Sequence, residues 1–116
     1  MHLTPEMLEA AYAYLATTLP FRRWKLPPAE AVEFRVTRSR GDYGQCITIK
    51  SGGTFNCVVE ISSVKNKTGF DMIRTMGHEM VHVCLDLLGV RAHHGAEFKR
   101  RAAIVRRRHS WDPKAF

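Results

Sequence analysis

The sequence is poor in cysteine, in long apolar runs and in acidic residues. Its three cysteines, Cys46, Cys57 and Cys84, show no Cys-x-x-Cys spacing. This argues against a disulfide framework or a cysteine-based zinc knuckle and favours a reducing compartment. The sequence has no apolar run of the roughly 18 residues that a membrane span needs, and no basic-then-apolar segment at its start. We therefore predict a cytoplasmic protein without a membrane partner.

What remains is an ordinary soluble composition. The chain has 116 residues, of which 45% are hydrophobic and 25% charged. A chain of this length buries one modest core, so we predict a single domain over residues 1–116. Neither length nor composition indicates an oligomeric state.

Basic residues outnumber acidic ones by 18 to 11, and the excess is uneven. Residues 1–90 carry ten Lys and Arg against nine Asp and Glu, whereas residues 91–116 carry eight against two. A basic segment beside a nearly neutral one favours an anionic partner, nucleic acid first. The alternative is a solvated basic helix face.

The first half of the chain predicts one helix and three strands. Thr4, followed by proline and an acid, is typical of a helix start, and apolar residues at helical spacing predict a helix over residues 5–18. Alternating or apolar runs predict strands at 32–37, 46–49 and 55–61, the last two joined by a glycine turn. This pattern indicates an α+β fold with a small antiparallel meander or a mixed sheet.

A second helix is predicted to begin after Thr68, where Thr68-Gly69-Phe70-Asp71 resembles a capping box, and to end at Gly89. Its interior contains the run His78-Glu79-Met80-Val81-His82. Apolar residues at helical spacing are expected to form its buried side: Phe70, Ile73, Met76, Met80, Val81, Cys84, Leu87 and Leu88.

The His-Glu-x-x-His run has the spacing of a zinc site. Four residues turn a helix by about 400° and advance it by about 6 Å, so His78 and His82 lie one above the other and can bind one metal ion. Glu79 can address a water on the open side of that ion and act as general base. The alternative is a pair of solvated histidines beside a surface glutamate. The position of the run among apolar helix residues favours the metal site.

Two helical histidines need at least one further protein ligand. The candidates after Gly89 are His93, His94 and Glu97. His94 lies four residues before Phe98, at the edge of an apolar stripe formed by Phe98, Ala102 and Val105 in a predicted C-terminal helix. Glu97 lies one helical turn away, and spacing alone does not exclude it.

These paired motifs resemble the SprT-like zinc metallopeptidases, a zincin-like family whose best-known members are the Spartan-type DNA–protein crosslink proteases. In that family a His-Gly-x-x-Phe segment, here His94-Gly95-Ala96-Glu97-Phe98, supplies the third zinc ligand. The resemblance extends over residues 30–112 and implies that His94 is that ligand. Many members carry a cysteine-rich zinc ribbon after the protease domain. No cysteine follows Cys84 here, so the resemblance is to a minimal protease domain.

The resemblance implies a zinc metalloendopeptidase with an open site that accepts extended protein or peptide segments, including proteins associated with or crosslinked to DNA. We expect an edge strand such as residues 57–62 to hold such a segment by main-chain hydrogen bonds. One alternative is a nucleic-acid-binding module whose zinc site is structural or vestigial, although Glu79 would then have no use. An RNA hydrolase ranks lowest, because the known zinc–histidine patterns of such enzymes differ.

The predicted C-terminal helix is the candidate DNA surface. Helical geometry predicts that Lys99, Arg100, Arg106 and Arg107 are exposed and contact phosphates. Arg101 and Arg108 are expected nearer the buried stripe.

Overall fold

A computed structural model describes residues 2–91 and 94–112 of the chain. In chain order the elements are α1 (Pro5–Ala16), β1 (Val32–Thr37), β2 (Gly44–Ser51), β3 (Thr54–Ser62), α2 (Gly69–Leu87) and α3 (Ala96–His109). Two short 3-10 turns, Phe21–Arg23 and Ala29–Ala31, lie between α1 and β1. This arrangement confirms the predicted α+β fold, with the C-terminal helix packed on the helix that carries the histidines.

Helix α1 begins as predicted and ends early. The Thr4 side chain accepts a hydrogen bond from a first-turn backbone N–H, which is an N-cap. The helix ends at Ala16 rather than at residue 18. The hydroxyls of Thr17 and Thr18 donate to backbone carbonyls three residues earlier, at 2.7 and 2.6 Å, and so compete with continued helix.

The sheet is mixed, with the strand order β1-β3-β2. A two-residue turn at Gly52 and Gly53, with φ of +55° and +82°, joins β2 to β3 as an antiparallel hairpin. Strand β1 pairs in parallel with the other side of β3. Strand β3 takes the centre because it is the most apolar of the three. The expectation that residues 57–62 form an edge strand is therefore wrong: the edges are β1 and β2.

Helix α2 has both predicted termini. Thr68 and Asp71 exchange the two hydrogen bonds of a capping box, at 3.1 and 3.2 Å. At the other end Gly89 adopts φ +76° within a Schellman motif. Two residues expected on its buried side are exposed, Phe70 by 54% and Leu88 by 59%. Phe70 lies on the side of the helix that leads to His78, and Leu88 is already the C-cap.

Helix α3 packs on α2 through its predicted stripe. Phe98, Ala102 and Val105 are all buried. The same core includes Met76, Met80 and their neighbours on α2 and the inner sides of the three strands. In residues 2–91 and 94–112 no helix has both the length and the apolar character to cross a membrane.

Gly44 is where β2 approaches α2 most tightly. A Cβ at this position would lie 2.9 Å from Thr75 Cγ2 on α2 and 3.0 Å from the Glu60 carbonyl oxygen on β3. Backbone and a packed side chain cannot both retreat from such contacts, so only glycine fits without displacing α2. Gly41, in the preceding loop, has no atom within 4 Å of the corresponding position.

We predict that Gly44→Ala destabilises the protein by about 1–3 kcal/mol, the usual cost of overpacking. Gly41→Ala is the matched control, and its free energy of unfolding should stay within about 0.5 kcal/mol of wild type. Urea titrations followed by circular dichroism measure both values. Equal stability of the two variants would contradict the close approach of β2 to α2.

Candidate metal centre

Three histidines converge at one point between α2 and the start of α3. One ring nitrogen from each of His78, His82 and His94 lies within 4.8 Å of the others. The Nε2 atoms of His78 and His94 are 3.5 Å apart. Two nitrogens on a tetrahedral zinc ion would be separated by about 3.3 Å. The three side chains are therefore arranged around a space of the size that one metal ion requires.

The two helical histidines meet as their spacing predicts, with ring centroids 5.0 Å apart. His94 joins them because the chain reverses after Gly89, and α3 starts immediately after Gly95. His82 is buried, His78 half-buried and His94 exposed, so the centre opens to solvent on the His94 side. His93, the other histidine candidate, lies outside the described residues.

Phe98 packs against all three histidine rings. Its ring stacks on His82 at a centroid distance of 4.5 Å and an interplanar angle of 26°. It also lies 5.0 Å from His78 and 4.8 Å from His94, at steeper angles. Phe98 is buried, so it forms an apolar floor under the site and restricts how each imidazole can rotate. The sequence identified Phe98 as a core residue and, by resemblance, as the end of the His-Gly-x-x-Phe segment, but it gave no sign that the ring contacts the histidines.

Glu97 takes another role than that of third ligand. Its Oε1 accepts hydrogen bonds from Arg100 Nη2 at 2.6 Å and from Arg101 Nε at 2.8 Å. The two hydrogen bonds lower the pKa of Glu97 to about 2, and the bond to Arg100 has the larger effect. Arg101 also donates to Cys84 Sγ at 3.4 Å, which ties α3 to α2. Glu97 lies outside the histidine cluster and stabilises the helix pair instead.

Burial prepares His78 for metal binding. Loss of solvation, and secondly the charge of His94, lower its pKa to about 4. The imidazole is therefore neutral at pH 7, which is the form that binds metal.

Burial has the opposite effect on Glu79. The residue as a whole is only 4% exposed. Loss of solvation is the main cause that raises its pKa to about 8, and the charge of Asp42 is the second. A bound dication would favour the carboxylate and lower this value. The pKa of Glu79 therefore depends strongly on the charge beside it.

A cleft of about 540 Å³ opens onto these residues. One wall is α2, and the other is the β1–β2 loop together with the segment that follows β3. Its lining residues are Gly41, Asp42, Tyr43, Gly44, Lys65, Asn66, Asp71, Arg74, Thr75, His78, Glu79 and His94. The cleft therefore runs along about two turns of α2 and ends at the metal centre.

Asn66 fixes the loop wall to the helix wall. It is fully buried, and its amide nitrogen donates to the Tyr43 carbonyl at 2.9 Å. Its amide oxygen accepts a hydrogen bond from Thr75 Oγ1 on α2 at 2.6 Å. Nothing in the local sequence marked Asn66 or Asp42 as part of the site, because neither belongs to a spaced motif and only the fold brings them to α2.

The predicted basic surface is partly rearranged. Lys99, Arg100 and Arg107 are exposed as expected. Arg106, which was expected to be exposed, is half-buried, and its Nε is buried. It follows the buried Ala102 by about one helical turn and so lies beside the apolar stripe. Arg108, expected near the apolar stripe, is exposed instead. The exposed basic set of α3 is therefore Lys99, Arg100, Arg107 and Arg108.

Three imidazole nitrogens suit zinc and similar transition ions and not magnesium or calcium, which prefer oxygen ligands. Fold and centre together define a small α+β domain with a candidate metal site on its central helix. The model of the SprT-like family matches residues 10–114, and the chain belongs to that family. A comparison with curated proteins found no match.

We predict that His94→Ala reduces bound metal from about one ion per chain to well below that value, because an open catalytic site has only three protein ligands. His93→Ala and His2→Ala should retain about one ion. Equilibrium dialysis against zinc followed by elemental analysis gives the stoichiometry. Retention of metal in His94→Ala together with its loss in His93→Ala would reverse the assignment.

Proposed function

We propose that this protein is a zinc-dependent metalloendopeptidase. The observation that carries the proposal is the placement of Glu79, whose buried carboxyl group lies on a cleft wall directly beside three clustered histidines. Membership of the SprT-like family supports a metallopeptidase. His78, His82 and His94 would hold the ion, and the described residues supply no fourth protein ligand to this cluster.

A zinc ion bound there supplies Lewis acidity and makes a neighbouring water easier to deprotonate. Glu79 accepts the proton of the attacking water on its carboxylate as the water adds to the scissile carbonyl. It then delivers that proton to the leaving amide nitrogen, so that the C–N bond breaks to an acid and an amine. The carboxyl group is suited to both steps because its pKa lies above the usual range without metal and falls beside a cation.

The cleft favours an extended substrate. It is open along α2 rather than closed into a deep pocket. Among residues 2–91 and 94–112, β2 pairs with β3 alone, so its other edge is a candidate place for an added strand. This edge takes the role that the sequence had suggested for residues 57–62. An unfolded protein segment or a peptide fits these features better than a compact folded surface.

A structural zinc site in a nucleic-acid-binding module is the competing function. A closed site requires four protein ligands, whereas three histidines converge among the described residues. A structural zinc site would also give no role to Glu79, although burying its carboxyl group costs free energy of desolvation. Both points favour catalysis.

Nucleic acid remains a candidate partner of the same protein, and DNA-associated proteins are candidate substrates. The support is the exposed basic set of α3, where Lys99, Arg107 and Arg108 face solvent, and Arg100 does so while paired with Glu97. Contacts from such a face would reach phosphates and carry little base specificity.

Glu79→Gln should retain zinc and the fold while proteolysis of an unfolded protein falls by about 10²–10⁴-fold, the usual value of general acid–base catalysis. The amide fills the same space but accepts no proton. Zinc content and thermal unfolding serve as checks, and Glu9→Gln on the exposed face of α1 is the control. Loss of zinc would instead identify the carboxylate as a ligand, and unchanged activity would exclude it as the base.

The double variant Arg107→Glu and Arg108→Glu should weaken DNA binding without changing zinc content. With four exposed basic residues on this face, the log–log dependence of binding on salt should be no steeper than about −4 in the wild type. Fluorescence anisotropy with labelled single- and double-stranded DNA measures it. Arg38→Glu with Arg40→Glu, an exposed pair in the β1–β2 loop, is the control. Absence of DNA binding at low salt would leave a peptidase with a solubilising basic surface.

A further inference from the structure

Phe70 is one of five large apolar side chains that are more than half exposed among the described residues, with Tyr14, Tyr43, Ile49 and Leu88. Single exposed apolar residues are ordinary and need no explanation. Two of the five lie at the cleft: Tyr43 is one of its lining residues, and Phe70 precedes the lining residue Arg74 by about one helical turn.

Phe70, Arg74 and His78 are spaced four residues apart along α2. Side chains at this spacing lie on one side of a helix, each about 6 Å further along the axis. Phe70 therefore stands about 12 Å from the first metal-binding histidine, at the far end of the same row.

A peptide in the cleft would run alongside this row. The cleft is bordered by α2 from Asp71 to Glu79. Strand β2 runs in the same direction as α2, from Gly44 beside Thr75 to Thr48, which donates to Asp86 at 2.9 Å, so its line continued back past Gly44 leads toward the start of α2. An extended chain advances about 3.3 Å per residue, so 12 Å corresponds to three or four residues.

The ring of Phe70 contacts Arg74, a residue of the cleft wall. The guanidinium of Arg74 lies 4.6 Å from the ring centroid and is itself held by Asp71 at 2.6 Å. The cation covers part of the ring, yet 54% of the residue is exposed. The remaining aromatic surface can bury an apolar side chain that reaches it along the cleft.

We propose that Phe70 is a specificity-determining residue that binds an apolar substrate side chain three or four residues from the scissile bond. The inference rests on the proposed peptidase function and specifies its substrate class: extended segments with an apolar residue at that distance. The competing explanation is that Phe70 only holds Arg74 in place. In that case its replacement would lower cleavage of all substrates alike and leave their ranking unchanged.

The test uses the zinc-loaded full chain with β-casein, an unfolded protein, as the first probe. Mass spectrometry maps the cleaved bonds for the wild type, Phe70→Ser, Phe70→Leu and Tyr14→Ser. Tyr14 is the matched control, an aromatic residue of similar exposure on α1. A peptide taken from one mapped site is then made in two forms, with Leu or Ser at the third or fourth position, and kcat/KM is measured for each.

The wild type and Tyr14→Ser should prefer the Leu peptide by about tenfold, the effect of partly burying one aliphatic side chain. Phe70→Ser should lose that preference, and Phe70→Leu should keep most of it although it lacks a ring for Arg74. Equal preference in Phe70→Ser and the wild type, or equal loss in both Phe70 variants, would overturn the proposal.

Binding of β-casein to the zinc-loaded Glu79→Gln protein separates this inference from the proposed function. If the wild type cleaves nothing but Phe70→Ser added to Glu79→Gln weakens binding, the surface assignment stands and the peptidase proposal fails. If the wild type cleaves while its preferences ignore Phe70, only the present inference fails. Absence of both cleavage and Phe70-dependent binding would overturn both.

Discussion

The packing of Phe98 against three imidazole rings brings together histidines from two separate parts of the chain. His78 and His82 share one helix, whereas His94 precedes the next. The Phe98 ring stacks on His82 with a centroid distance of 4.5 Å and helps to pack α3 against α2. This packing determines the position of His94, which lies just before α3. Arg101 strengthens this docking through its bonds to α2 and to its own helix. Metal-binding geometry in this protein is therefore a property of the helix pair rather than of one motif.

Burial disfavours charge on two groups of the metal centre. Burial lowers the pKa of His78 and raises that of Glu79, so both groups favour their uncharged forms. A bound dication would favour the carboxylate form of Glu79, and the neutral imidazole of His78 could bind it. Metal binding should therefore also stabilise the folded state, because the unfolded chain has no preformed cluster to bind it.

The central place of β3 decides the shape of the cleft. With β3 paired on both sides, β2 becomes an edge strand and lies beside α2, held at the close approach of Gly44. The β1–β2 loop then reaches the helix, and Asn66 locks it there. This arrangement brings Asp42 into the environment of Glu79, and it aligns the cleft with the helix row that leads to Phe70.

Local sequence rules determined the helix boundaries near Thr68 and Gly89, the two-residue hairpin and the meeting of His78 with His82, because each depends on residues within one or two turns. Family resemblance added His94, which spacing alone had left undecided among His93, His94 and Glu97. Only the tertiary structure decided the strand order, the pairing of Glu97 with arginines and the exposure of Phe70. Those outcomes depend on which of several distant segments occupy the one buried core and which charged residues pair with each other. A local sequence pattern carries no information about that choice.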